Sequence, residues 1–177
     1  MARRIQRHVE VYVFRRRAGG IQFLCLRRAA HRNLAGVWQP VTGKRRLGER
    51  AAAAALREVR EETGVEPNRM WALERPSIYF DAATDQLHLL PLFAAEIGAS
   101  ERITLSDEHD AFRFLSGTRA GARYLWDGQR LGVKAVLRQI VRSPALARAL
   151  EITRPSAKRR PRRSKSAGAG SRAGRRR

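Results

Sequence analysis

Apolar and polar residues alternate in HVEVYVF at residues 8–14, and apolar residues dominate IQFLCL at 21–26. Successive side chains of a strand point to opposite faces, so the first stretch predicts a half-buried strand and the second its partner. RRRAGG between them predicts a turn, which makes the pair a hairpin. Residues 27–37 read as a loop, and 38–42 as a short extended segment that Pro40 keeps at an edge or irregular position. Further strands are predicted over 71–81, 86–97, 103–105 and 111–115. The period changes to helical from Ala51, in AAAAALREVREETG, where Gly64 supplies a left-handed cap and Pro67 follows closely. Residues 129–142 carry Val133, Val136, Leu137, Ile140 and Val141 at the spacing of one helix face. A short helix is predicted over 143–151, with Ser143 as cap and Pro144 in its first turn.

The helix from Ala51 changes the picture most. At ~100° per residue, Glu58, Glu61 and Glu62 share an arc of roughly 100°. Ala52, Leu56, Val59 and Thr63 form the neighbouring face, which is expected to pack on the core. Like charges three and four residues apart destabilise a bare helix. Three acids gathered in so basic a chain imply a cation between them, and hard oxygen ligands suit Mg²⁺ or Mn²⁺.

Gly43, Glu49, Arg57, Glu58, Val59, Glu61, Glu62, Gly64 and Val65 match every position of G-x5-E-x7-R-E-U-x-E-E-x-G-U, with U a bulky aliphatic residue. The stretch resembles the Nudix box, a pattern that chance produces roughly once in a billion start positions at ordinary composition. The resemblance implies an α/β/α sandwich with a mixed β-sheet, spanning residues 1–153, and a hydrolase of diphosphate linkages. By the same resemblance Glu58, Glu61, Glu62 and the Gly43 carbonyl are metal ligands. Glu58 orients or deprotonates the water, Arg57 orients the carboxylates, and Glu49 pairs with Arg57 or contributes from behind the site. Trp38-Gln39-Pro40-Val41-Thr42-Gly43 and the downstream Glu108-His109 are similar to the subgroup containing dihydroneopterin triphosphate diphosphatase. There a glutamate outside the box completes the metal site, and Glu108 is the match. His109 reads as a hydrogen-bonded loop residue. Trp38, Tyr79 and Phe80 are candidates for stacking on a ring, and Arg27, Arg28, Arg32 and Lys44 for holding phosphates. Lys44-Arg45-Arg46 departs from relatives that carry acids in this loop.

Charge and composition add limits. The formal net charge is +21, and residues 154–177 hold 11 of the 37 basic residues with no acid. That segment has no aliphatic residue larger than alanine, so it is expected to be a disordered polybasic tail able to contact nucleic acid. The body is basic too, which favours phosphate-bearing partners. Cys25, the only cysteine, sits in an apolar run and is expected to be a buried small hydrophobe; with no internal disulfide available, a reducing cytoplasmic setting fits. The longest apolar stretch, 87–97, contains Pro91 and is far below membrane-spanning length, so no membrane association is expected. Three functions fit these features: a Mg²⁺-dependent nucleotide pyrophosphohydrolase, a hydrolase of RNA 5′ ends or dinucleoside polyphosphates, and a nucleotide-sensing regulator that binds nucleic acid. A homodimer is compatible with the family resemblance.

Overall fold

The computed structural model describes residues 3–152; the expected tail, and the nucleic-acid contact assigned to it, lie outside the described residues. The elements in chain order begin with β1 (Arg3–Ile5), β2 (His8–Arg17), β3 (Gly20–Arg28), β4 (Trp38–Gln39) and β5 (Val41–Lys44). Helix α1 (Ala51–Thr63) follows, then β6 (Arg69–Ala72), β7 (Ser77–Asp81), β8 (Gln86–Leu90), β9 (Leu92–Ile97) and β10 (His109–Ser116). The described chain ends with α2 (Gly117–Arg123), α3 (Asp127–Val136), a π turn (Leu137–Val141) and α4 (Pro144–Leu150). The main sheet runs β10-β3-β2-β9-β6, with β4 on β3 and β5 on β2. It is mixed: β2 and β9 are parallel, whereas β2 and β3 are antiparallel.

Two apolar layers flank this sheet. Val9, Val11, Val13, Leu24 and Leu26 pack with Ala54, Ala55 and Val59 of α1. Tyr12, Phe14, Phe23 and Cys25 pack on the other side with Trp71, Val133, Val136 and Ile140. The 8–14 strand is therefore buried on both faces rather than half-buried, because helices cover both sides of its sheet. Cys25 is buried as expected, and burial pushes its thiol up to about 11.

Prolines cut two of the expected strands. The segment 71–81 divides into β6 and β7 around Pro76, and 86–97 into β8 and β9 around Pro91. In each case the halves belong to different sheets, since β1, β8 and β7 form a separate three-stranded sheet. A proline lacks the N–H that would continue a ladder. The 103–105 segment is not a strand; Thr104 N–H donates to the Thr63 carbonyl at 2.9 Å, and Ile103 and Leu105 pack on the core. Helix α2 has no counterpart among the expected elements. The predicted 129–142 helix loses α-geometry at Leu137, where the π turn begins.

Gly132 of α3 lies flush against the buried Tyr12 ring, and a Cβ there would stand 2.0 Å from Tyr12 Oη. Alanine normally favours a helix over glycine by about 1 kcal/mol. Here overpacking wins, at a cost of about 1–3 kcal/mol or more. Gly132→Ala is expected to lower the urea midpoint with an unchanged m-value, and an equal or higher midpoint would contradict this packing.

Candidate active site

The main sheet splays open where β2 and β3 part, and β4–β5 fill the gap. Gln39 pairs with Leu26 on β3, whereas Val41 pairs with Val11 on β2, so the chain changes partner at Pro40. This wedge carries Gly43 to the flank of α1. A Cβ on Gly43 would stand 1.8 Å from Glu58 Cδ, so only glycine admits the Glu58 side chain at this distance. Gly64 ends α1 with φ 69°, as expected, and its N–H donates to the Arg60 carbonyl at 2.9 Å.

Helix α1 buries Val59 and Thr63 and packs Leu56 on the core as expected, but its buried face also takes in two of the acids. Glu58 and Glu62 are buried, at 8% and 3% exposure, whereas Ala52 is exposed. Glu61 stands on the outer side, half-exposed. Arg57 organises the group. Its Nε and Nη2 donate to the two Glu49 oxygens at 2.9 Å each, and its Nη1 donates to Glu58 at 2.7 Å and Glu61 at 2.8 Å. Nη2 also donates to the Lys44 carbonyl at 3.0 Å. Arg57, with the Arg46 amide, holds the Glu49 carboxyl down to about 2. Arg46 also reaches Glu61, at 3.1 Å.

The buried pair behaves differently. Burial pushes the Glu58 carboxyl up against the opposing pull of Arg57, with Glu61 and Glu108 adding to the rise. Glu62 is raised well above the usual carboxylate range, first by burial, then by Glu58 and Glu108. The Thr42 amide is its hydrogen-bond donor, and Arg28 opposes the rise. Glu62 Oε2 has no hydrogen-bond partner among the described residues and lies 3.8 Å from His109 Nδ1. Burial and the nearby Arg28 lower the His109 pKa to about 4, so the ring is neutral at neutral pH. Gln39 Nε2 lies 3.3 Å from His109 Nε2. An amide N–H donating there leaves the ring proton on Nδ1, facing Glu62.

The structure thus brings Gly43, Arg57, Glu58, Glu62 and Glu108 into one neighbourhood, with Arg28 beside it. Gln39, Thr42 and His109 belong to it as well, although sequence reasoning gave Gln39 and Thr42 no role and treated His109 as an ordinary loop residue. Their place in the WQPVTG and EH stretches was the available signal. Arg27 is paired with Asp110 at 2.6 Å and lies 6.0 Å from the centre of the Trp38 ring, on the opposite face of the sheet from Leu26. Lys44 is exposed at the end of β5. Phe80 is 55% exposed on the small sheet, across from Leu87, and is not joined to the acidic group. Arg32 pairs with Asp107 at 2.9 Å and approaches Glu108 at 3.8 Å. No three His, Cys, Asp or Glu side chains among the described residues form a ready-made cation cage. Arg57 and Arg46 account for this in part, since they hold Glu58 and Glu61 themselves.

The site is thus a mixed sheet between helices, with buried acidic residues of one helix lodged against Gly43 of β5. The family model for the NUDIX domain matches residues 6–134, and the chain belongs to that family. The structure resembles a C. elegans Ap4A hydrolase, with 19% identity and a TM-score of 0.65 over 78% of this chain and 99% of that one. It also resembles the E. coli dihydroneopterin triphosphate pyrophosphohydrolase, with 20% identity and a TM-score of 0.63 over 77% and 95% of the two chains. In sequence, the chain is 33% identical over 129 residues to an octanoyltransferase of Myxococcus xanthus; the match takes in 72% of this chain and 36% of that longer protein. Among the described residues no helix is long and apolar enough to cross a membrane.

Proposed function

We propose that the chain hydrolyses a phosphoanhydride bond in a nucleoside triphosphate or a related nucleoside-diphosphate-linked compound, with Mg²⁺ as cofactor and Mn²⁺ as a substitute. A triphosphate substrate would release pyrophosphate. One observation carries the reading: two buried carboxylates, Glu58 and Glu62, face a third acid, Glu108, and one Glu62 oxygen has no hydrogen-bond partner among the described residues. Buried carboxylates are rarely left uncompensated, and their mutual repulsion favours a bound cation. The donor set is all oxygen, which fits a hard divalent ion.

Glu58, Glu62, Glu108 and the Gly43 carbonyl would hold the cation, joined by Glu61 once it leaves Arg57 and Arg46. Such an ion neutralises charge on the phosphoryl oxygens. Glu58 takes the proton of the attacking water; a bond forms between that oxygen and phosphorus as the bridging P–O bond breaks. Coordination to the ion would lower the pKa of the attacking water toward that of the carboxylate. Arg57 fixes the position of Glu58 through its anchorage on Glu49, and Glu61 tunes that guanidinium. Arg28, Arg27 and Lys44 are the candidates for the outer phosphates, and Trp38 and Phe80 for the attached ring. The resemblance to the dihydroneopterin triphosphate diphosphatase subgroup supports a triphosphate substrate, and the likeness to an Ap4A hydrolase supports a dinucleoside polyphosphate.

A panel of dNTPs, dihydroneopterin triphosphate and dinucleoside polyphosphates tests the proposal, with products resolved by ion-exchange chromatography. Turnover of at least one compound with Mg²⁺, abolished by EDTA, is expected. Absence of metal-dependent turnover across the whole panel would reject it.

A further inference from the structure

The loop from β5 to α1 carries an arginine whose position bears on both a cation and a phosphate. The guanidinium carbons of Arg113 and Arg123 lie 5.9 and 4.9 Å from the centre of the Trp38 ring, on the side of the main sheet that α1 does not cover. Arg46 stands instead beside the acids. Its Nη2 donates to Glu61 Oε1 at 3.1 Å, while Arg57 Nη1 donates to Glu61 Oε2 at 2.8 Å. Each oxygen of this carboxylate is therefore held by a different arginine.

The two arginines are not equally free to leave. The Arg57 side chain is 17% exposed, and both Glu49 oxygens and the Lys44 carbonyl fix it, so Glu61 must turn away from it. The Arg46 side chain is 68% exposed, and Glu61 is its one side-chain partner among the described residues, so it can withdraw by itself. The backbone beneath it is anchored. The Arg46 N–H donates to Glu49 Oε2 at 2.9 Å, and its carbonyl accepts from the Glu49 N–H at 3.1 Å. Arg45 next to it donates to the Gln6 and Glu49 carbonyls. The loop is a fixed base with one guanidinium able to swing beside the acidic group.

An exposed ion pair of this kind contributes little by itself. A divalent ion on the same carboxylate carries twice the charge and repels the guanidinium. Phosphoryl oxygens beside that ion offer a released arginine a forked, charge-assisted contact. We propose that Arg46 exchanges partners as ligands bind: it holds Glu61 first, gives that carboxylate up to the cation, and then takes a phosphoryl oxygen of the substrate. The exchange rests on the hydrolase reading above and adds a coupling to it. Cation and phosphate each free the group that the other needs, so each tightens the binding of the other by the same factor.

Wild type, Arg46→Gln and Arg50→Gln are compared as full chains at fixed salt; the last removes the same charge from an exposed position in the same loop. Electron paramagnetic resonance of free Mn²⁺ gives the cation affinity without phosphate. Calorimetry with imidodiphosphate, whose bridge resists hydrolysis, gives the phosphate affinity at saturating Mg²⁺. Arg46→Gln is expected to bind Mn²⁺ about two- to fivefold more tightly than wild type, which is the worth of an exposed ion pair, and Arg50→Gln within about 1.5-fold of wild type. Arg46→Gln should also bind imidodiphosphate about tenfold more weakly, with Arg50→Gln within about twofold. Unchanged or weaker Mn²⁺ binding in Arg46→Gln would overturn the competition for Glu61, and unchanged imidodiphosphate binding would overturn the transfer to phosphate. Equal changes in the two variants would reduce the effect to net charge and overturn both. If none of the three proteins binds Mn²⁺, the metal reading of the acidic group falls and the exchange with it; equal, measurable Mn²⁺ affinity in all three sinks the exchange alone.

Discussion

Glu62→Gln is expected to lower kcat by about two to four orders of magnitude, the range over which a positioned catalytic or ligand carboxylate acts. The substitution keeps the shape of the side chain and an oxygen to accept the Thr42 amide. It removes the charge that the unpartnered Oε2 offers. The same change should leave the metal-free protein at least as stable as wild type at neutral pH. Burial, Glu58 and Glu108 all disfavour ionised Glu62, so its folded pKa lies above its unfolded one. Stability from such a group is complete below the unfolded pKa and is lost as pH rises through the folded one. Glutamine abolishes that loss. Steady-state kinetics in Mg²⁺ and thermal melts in EDTA measure the two effects. Wild-type turnover in the variant would remove Glu62 from the site; a large drop in melting temperature would make its role structural.

Glu10→Gln should flatten the dependence of stability on pH. Glu10 lies on the α3 side of β2, at 3% exposure, bonded to the Tyr12 hydroxyl and 3.4 Å from Gln129 Nε2. Burial raises its carboxyl from 4.5 to about 7, although both hydrogen bonds oppose the rise. Its contribution is therefore fully present below about pH 4.5 and disappears as pH rises through about 7. The shift corresponds to about 3 kcal/mol lost on the alkaline side. Gln129 Oε1 has no hydrogen-bond partner among the described residues in its present orientation. An amide flip would let it accept a proton from neutral Glu10, or an N–H from glutamine at that position. The variant is thus expected to be more stable than wild type by about 3 kcal/mol at pH 8, with the gap closing toward pH 4.5. Urea unfolding across that range measures it, and parallel curves for the two proteins would contradict the buried-acid account.

Helix α1 was legible because its signals are local. Helix formers run unbroken from Ala51, Gly64 supplies a left-handed terminus, and the box residues keep their spacing in any conformation of the rest. The outer strands were less so. Periodicity ran straight through Pro76 and Pro91, although each proline removes a ladder donor and marks a change of sheet. Ala52 was assigned to the packed face because alanine and leucine outweigh glutamate in any apolar count. The fold exposes Ala52 and buries Glu58 and Glu62 beside Val59 and Thr63, since the wedge of β4–β5 brings Gly43 and Thr42 against that side.

The sequence by itself determined the family, the position of the acidic helix and the alternating core strands, all set by contacts within a few residues. Tertiary structure alone decided that Glu58 and Glu62 are buried while Glu61 is bound by Arg46 and Arg57. It likewise decided that Glu10 meets Gln129, and that arginines from β10 and α2 converge on Trp38. Each of these pairs segments far apart in the chain, and a burial energy that depends on both partners leaves no periodic trace in either one.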